Sequence, residues 1–188
     1  MSFDFRAARL TMVESQVRTA DVTDLAVTDA MREALRESLC PTKAGLAYAD
    51  AEIEYAPGLW LMRPREIGKL LQALQPQPLE RALCIAAPYA ALVLDVMGLE
   101  VTQAACGAGA PAAGAFDVVI TEGAVCEVPE AWTDALAEGG RLAAVVRGGP
   151  VGKACLCAAQ DGRLSWRELF DATPPYLPGF EPKTQFAF

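Results

Sequence analysis

The chain has 188 residues, 53% of them hydrophobic and 21% charged, enough apolar material for one domain with its own core. Its net charge of -8 leaves no basic stripe, which disfavours nucleic acid and anionic membranes as partners. Histidine is absent, which excludes Ser-His-Asp and Cys-His catalysis, histidine general bases and most zinc sites.

No apolar run reaches the length of a membrane span, and MSFDFRAARLTM lacks the basic and apolar regions of a signal peptide. A cytoplasmic protein is expected. The six cysteines form no C-x-x-C pair and most sit in apolar runs, as small buried thiols do. Cys155 and Cys157 share one strand face, but two thiols make no metal site, and none is expected.

The N-terminal third reads as helical. Phe5, Ala8, Met12, Val13, Gln16 and Val17 follow the spacing of one helix face. A second helix starts at the capping candidates Thr23 and Asp24, buries Val27, Ala30, Met31 and Leu35, and ends at Leu39-Cys40-Pro41. Residues 42–63 read as irregular. Pro64 opens a third helix with Ile67, Leu70, Leu71 and Leu74 inward, and QPQP at 75–78 stops it.

An α/β pattern follows. Ala82–Ala86 reads as a short strand and Tyr89–Met97 as a helix with Pro88 at its start and Gly98 at its end. Glu100–Ala105 is a second strand. FDVVIT at 116–121 is a third, apolar throughout like a parallel strand buried on both faces. A helix is expected over 128–140, with Trp132 and Leu136 inward, and a strand over 141–146. KACLCAA and LSWRELF flank Asp161-Gly162, a strong hairpin signal, and the tail holds a candidate edge strand. Trp60, Trp132 and Trp166 read as core or partial core, although Trp60 could also form a contact surface.

In order and spacing, MVESQVRTADVTDLAVTDAM, AYAD, LMRPREIGKLLQAL, FDVVITEGAVCEVPEAWTDALAEGGRLAAVVRGG and LFDATPPYLPGFEPKTQFAF resemble the protein-L-isoaspartate O-methyltransferase family, in a bacterial branch. The resemblance covers nearly the whole chain. It implies an α/β, Rossmann-like sheet of the S-adenosylmethionine-dependent methyltransferase type, with an N-terminal helical region and a C-terminal antiparallel hairpin. One domain over 1–188 is expected, helical over 1–78 and α/β with the hairpin over 79–188. The implied reaction is methylation of isoaspartyl carboxylates in damaged proteins, with S-adenosylmethionine as cofactor and no metal.

Against that family the cofactor residues depart. Cys84 stands where an acid is expected, and Ala86-Ala87-Pro88 stands where a glycine-rich turn would let the backbone approach the methionine moiety. Tyr89 alone matches. The second strand ends without a carboxylate, leaving Gln103 as the candidate for the ribose hydroxyls. CGAGAPAAG replaces about one βα unit that would carry adenine contacts, so the sheet is expected to be truncated by that unit. The substrate-loop equivalents are Met62, Arg63 and Pro64, with methionine in place of a hydroxyl residue. Arg63 either holds a carboxylate or is a surface arginine. Glu122 and Gly123 follow the third strand where open α/β sheets bind ligands, and Glu122 reads equally as functional or as a solvated loop residue.

Two functions follow. Coordinated loss of acid, glycines, ribose acid and adenine segment points to a non-catalytic binding or scaffold protein that does not hold S-adenosylmethionine. The alternative is an active carboxyl methyltransferase with a divergent pocket. A third reading is another small molecule in the remodelled crevice. The uncovered sheet face predicts a homo-oligomer or a protein partner.

Overall fold

The computed structural model describes residues 3–109 and 111–182. Its main sheet has six strands in the order β4-β3-β5-β6-β7-β8. These are β3 (Arg81–Ile85), β4 (Glu100–Ala104), β5 (Phe116–Val125), β6 (Leu136–Val146), β7 (Gly152–Gln160) and β8 (Arg163–Ala172). Pairings among β3 to β6 are parallel, and β6-β7 and β7-β8 are antiparallel. The hairpin turns at Asp161 and Gly162, both at positive φ (52° and 68°), the twist that favours Asp-Gly in two-residue turns.

Ahead of the sheet lie α1 (Phe5–Met12), continued by a π-helical turn over Val13–Val17, and α2 (Leu25–Glu33), whose first amides are capped by Asp24. A small hairpin follows, β1 (Ile53–Ala56) with β2 (Leu59–Leu61), where an irregular segment was expected. Pro57-Gly58 between apolar runs is its signal. Next come α3 (Pro64–Leu74) and, after β3, α4 (Pro88–Val96). Pro64 and Pro88 both sit in the first turn, as expected.

The core has two parts. The larger joins the N-terminal helices, α3 and α4 to one sheet face, through Met12, Met31, Ile67, Leu71, Tyr89 and Ile120. The smaller covers the other face with Leu83, Ile85, Val119, Leu142 and Trp132. That second face carries little helix. From β4 the chain passes to β5 through residues 105–115, and the described residues among them form no strand or helix. The expected truncation is therefore present.

Three elements differ from the sequence reading. The helix expected over 128–140 is only α5 (Glu130–Asp134), because Leu136 joins β6 opposite Phe116. Trp132 and Leu136 are inward as expected, but their spacing fits a short helix running into a strand equally well. β5 runs on to Val125, four residues past its expected end. Leu35 is 50% exposed because α2 stops at Glu33 and Ala34 turns extended (ψ 121°), rotating Leu35 outward and Arg36 inward. The C-terminal edge strand falls largely on 183–188, outside the described residues. No helix among the described residues is long and apolar enough to cross a membrane, and the six cysteines are free.

Candidate functional site

The carboxyl ends of β3, β4 and β5 meet the start of α4, the place where open α/β sheets form a ligand crevice. Ala86 leaves β3 with φ 46°, a left-handed conformation that costs a side-chain-bearing residue about 1–2 kcal/mol. Its amide is held by the Ala104 carbonyl at 2.8 Å. Ala87 flanks α4 without a side-chain cap, and Pro88 supplies no donor. Ala86 and Ala87 are both buried.

The open amides of α4 face Glu122. Its Oε1 accepts from the Ala90 amide at 2.7 Å and its Oε2 from the Met62 amide at 3.3 Å. Glu122 is fully buried inside β5, where the pairing to β6 breaks register between Ile120 and Ala124. It is thus neither a loop residue nor solvated, which corrects the solvated-loop reading. Burial raises its pKa, opposed by the Arg36 charge and by the amides of Ala90, Met62 and Tyr89.

Arg36 completes this buried group and was not singled out from the sequence. It is 0% exposed. Its Nε donates to the Ala47 carbonyl at 2.8 Å and its Nη2 to the Met62 carbonyl at 2.7 Å, while its guanidinium stacks 4.5 Å from the Tyr89 ring centre. Arg36 and Glu122 therefore hold the carbonyl and the amide of one residue, Met62, in the two peptide groups that flank its Cα. Desolvation lowers the Arg36 pKa, with Tyr89 and Glu122 working the other way. Arg36 Nη1 and the Tyr89 hydroxyl are buried without a hydrogen-bond partner. Tyr89, the one residue matching the family's turn, thus packs as a core aromatic whose pKa burial pushes up.

The C-terminal segment closes the crevice from above. Ala124 donates to the Pro175 carbonyl and accepts from the Leu177 amide, at 2.9 and 2.8 Å. Leu177 is buried directly over Gly123, where an added Cβ would lie 2.7 Å from its Cδ2. Gly123 holds φ 142°, so it is required here by both space and backbone. Farther along, Phe180 stacks on Trp132 with centroids 5.2 Å apart, and Pro178 lies against Gly58 of the small hairpin.

The other expected residues are dispersed. Met62 is fully buried, so its side chain is withdrawn from any substrate surface. Arg63 is half-buried and ion-paired to Glu52 at 3.0 Å. Pro64 is buried in the first turn of α3. Gln103 is exposed on the edge strand β4, in register with Cys84 and one residue before the Ala104 carbonyl that holds the Ala86 amide. Cys84 is buried, and burial pushes its thiol pKa well up, so it offers no acid. Trp132 is buried as expected and Trp60 half-buried, but Trp166 is 48% exposed because it sits on the outermost strand. A cavity of about 210 Å³ is lined by Leu83, Ile85, Ala104, Phe116 and Trp132, with Ala108 and Pro111 also against it.

Residues 81–155 match the family model described as protein-L-isoaspartate(D-aspartate) O-methyltransferase. A Methylorubrum populi protein named protein-L-isoaspartate O-methyltransferase is 34% identical over 175 residues, covering 78% of this chain and 82% of that protein. A protein of the same name from Methylorubrum extorquens is 33% identical over 189 residues, covering 85% and 82%. In three dimensions the chain is similar to a Plasmodium falciparum protein-L-isoaspartate O-methyltransferase solved in complex with S-adenosyl-L-homocysteine. The TM-score is 0.76 at 16% identity, covering 90% of this chain and 97% of that one. A second solved protein-L-isoaspartate O-methyltransferase gives a TM-score of 0.71 at 18% identity, covering 93% of this chain and 66% of that one. These likenesses show a Rossmann-like α/β fold, and the sequence relatives go further: the chain belongs to the protein-L-isoaspartate O-methyltransferase family.

Proposed function

We propose that this chain is a family member whose cofactor crevice is filled by its own residues, and that it acts as a non-catalytic binding or scaffold protein. The observation that carries this reading is the capture of the α4 amide by Glu122. A cofactor carboxylate placed at the start of α4 would compete for an amide that the buried Glu122 carboxyl already holds.

The rest of the crevice supports the same reading. S-adenosylmethionine presents a carboxylate, ribose hydroxyls and an adenine ring. Ala86, Ala87 and Leu177 are buried in the turn and above it, and β4 ends in Ala104-Ala105 with the Gln103 side chain exposed. The residues present do not fit the group.

The direct experiment is calorimetric titration with S-adenosylmethionine and S-adenosylhomocysteine. We expect no binding up to several hundred micromolar. Micromolar affinity for either would overturn the reading.

A second reading has one observation in its favour. The apolar cavity of about 210 Å³ flanked by Trp132 has room for a flat ring, and the sequence relatives carry an enzyme name. Under this reading the chain is an S-adenosylmethionine-dependent carboxyl methyltransferase. Methylation of an isoaspartyl peptide above the level of a heat-denatured control would establish it.

A further inference from the structure

We propose that the outer edge of β8 pairs antiparallel with the β8 of a second copy of this chain, making a two-fold dimer with a continuous sheet. β8 is the last strand of the sheet and runs ten residues, Arg163–Ala172, and among the described residues nothing pairs with its outer side. A row of free amides and carbonyls on such an edge is a template for another strand. Its protections against pairing are partial: it has four charged side chains and one irregularity. β8 is long and contains no proline, and its irregularity lies near one end, opposite Ala154 and Cys155.

Charge order says which strand fits. The sequence RLSWRELFDA has both its bases, Arg163 and Arg167, ahead of both its acids, Glu168 and Asp171. Two such strands running antiparallel set the basic half of each beside the acidic half of the other. Running parallel, they set like against like, which is unfavourable across a strand pair. Arg163 and Arg167 are exposed and have no ion-pair partner among the described residues. The edge is thus complementary to itself in one orientation only.

Apolar surface points the same way. Leu164 and Trp166 stand opposite Ala159 and Cys157 on β7, and both are 48% exposed. They continue the sheet face that holds Cys157 and Leu142, which α5, Leu177 and Phe180 of the C-terminal segment, and Cys106 cover elsewhere. Beside Trp166 lies an open hollow of about 450 Å³ that also touches Val128, Val146 and Cys155. A two-fold axis perpendicular to the sheet keeps the two Trp166 rings on one face, where each can cover the other copy's strip. Exposed apolar area of this kind marks interaction surfaces.

Light scattering on the full chain tests the proposal. At tens of micromolar the expected mass is twice the 20.0 kDa of the chain. The variant R163E/R167E and the variant E168K/D171K should each weaken the dimer at least tenfold. Mixed in equal amounts, they should form a heterodimer visible by native mass spectrometry. Asp171 also pairs with Lys153, so the second variant is checked for a native circular-dichroism spectrum. If it is unfolded, L164S/W166S takes its place and should give a monomer. A wild-type monomer at several hundred micromolar, or a dimer indifferent to these changes, would overturn the proposal.

Discussion

Glu122 and Arg36 are fully buried ionisable side chains that share the backbone of Met62, one at its amide and the other at its carbonyl. Although the two make no direct ion pair, each eases the burial of the other, and removing one partner of such a buried group costs about 3–5 kcal/mol. We therefore expect Glu122→Ala to lower unfolding free energy by about that amount, and Arg36→Met to do the same. Their double variant should cost clearly less than the sum, since the pair fails as a unit. Urea titrations of the four proteins measure this, and strict additivity would show that the two charges do not act together. Glu122→Gln keeps an acceptor for the Ala90 amide and should be milder, about 1–3 kcal/mol.

At the scale of elements, the C-terminal segment is tied to β5 through Gly123. A methyl group there would strike Leu177 Cδ2 at 2.7 Å and Cγ at 2.8 Å and would carry φ 142°, which residues with a Cβ rarely adopt. We expect Gly123→Ala to release residues 175–180 from the sheet before it unfolds the rest, read as faster amide exchange at Ala124 and Leu177. Unchanged exchange at both amides would show that the segment is held elsewhere. The elements themselves were largely legible in the sequence, because prolines at helix starts, Asp-Gly at the hairpin and unbroken apolar runs in parallel strands are local signals. What was not legible had non-local causes. Arg36 turns inward only because Ala34 becomes extended, and a charged residue beside Leu35 gives no periodic sign of that. The departure of the Ala86 turn from the family pattern was visible residue by residue. That a carboxylate from β5 reaches its amides was not, since it depends on a register break between two strands.

Across the whole molecule, the absence of histidine removes the side chain that ordinarily titrates between pH 5 and 8. Glu66 takes over that range. It lies in the first turn of α3, its Oε2 is buried without a partner, and its pKa is pushed up to about 7. Burial is the main cause and the Glu52 charge the next, with Arg63 and Arg65 opposing. Folding therefore raises this carboxyl from its ordinary 4.5, so the native chain holds a proton that the unfolded chain releases. Its contribution to stability is fully present below that lower value, fades as the pH rises toward 7, and is lost above it. Other carboxylates run the opposite way, such as Asp117, which Arg81 holds below its usual range, so the wild-type curve alone would mix the two. The difference between Glu66→Gln and the wild type isolates the effect. We expect the glutamine variant to gain on the wild type by about 2 kcal/mol between pH 4.5 and 8, after allowance for solvent near the group. Urea midpoints at both ends of that range decide it, and a difference that does not change with pH would mean Glu66 titrates as an ordinary surface carboxylate.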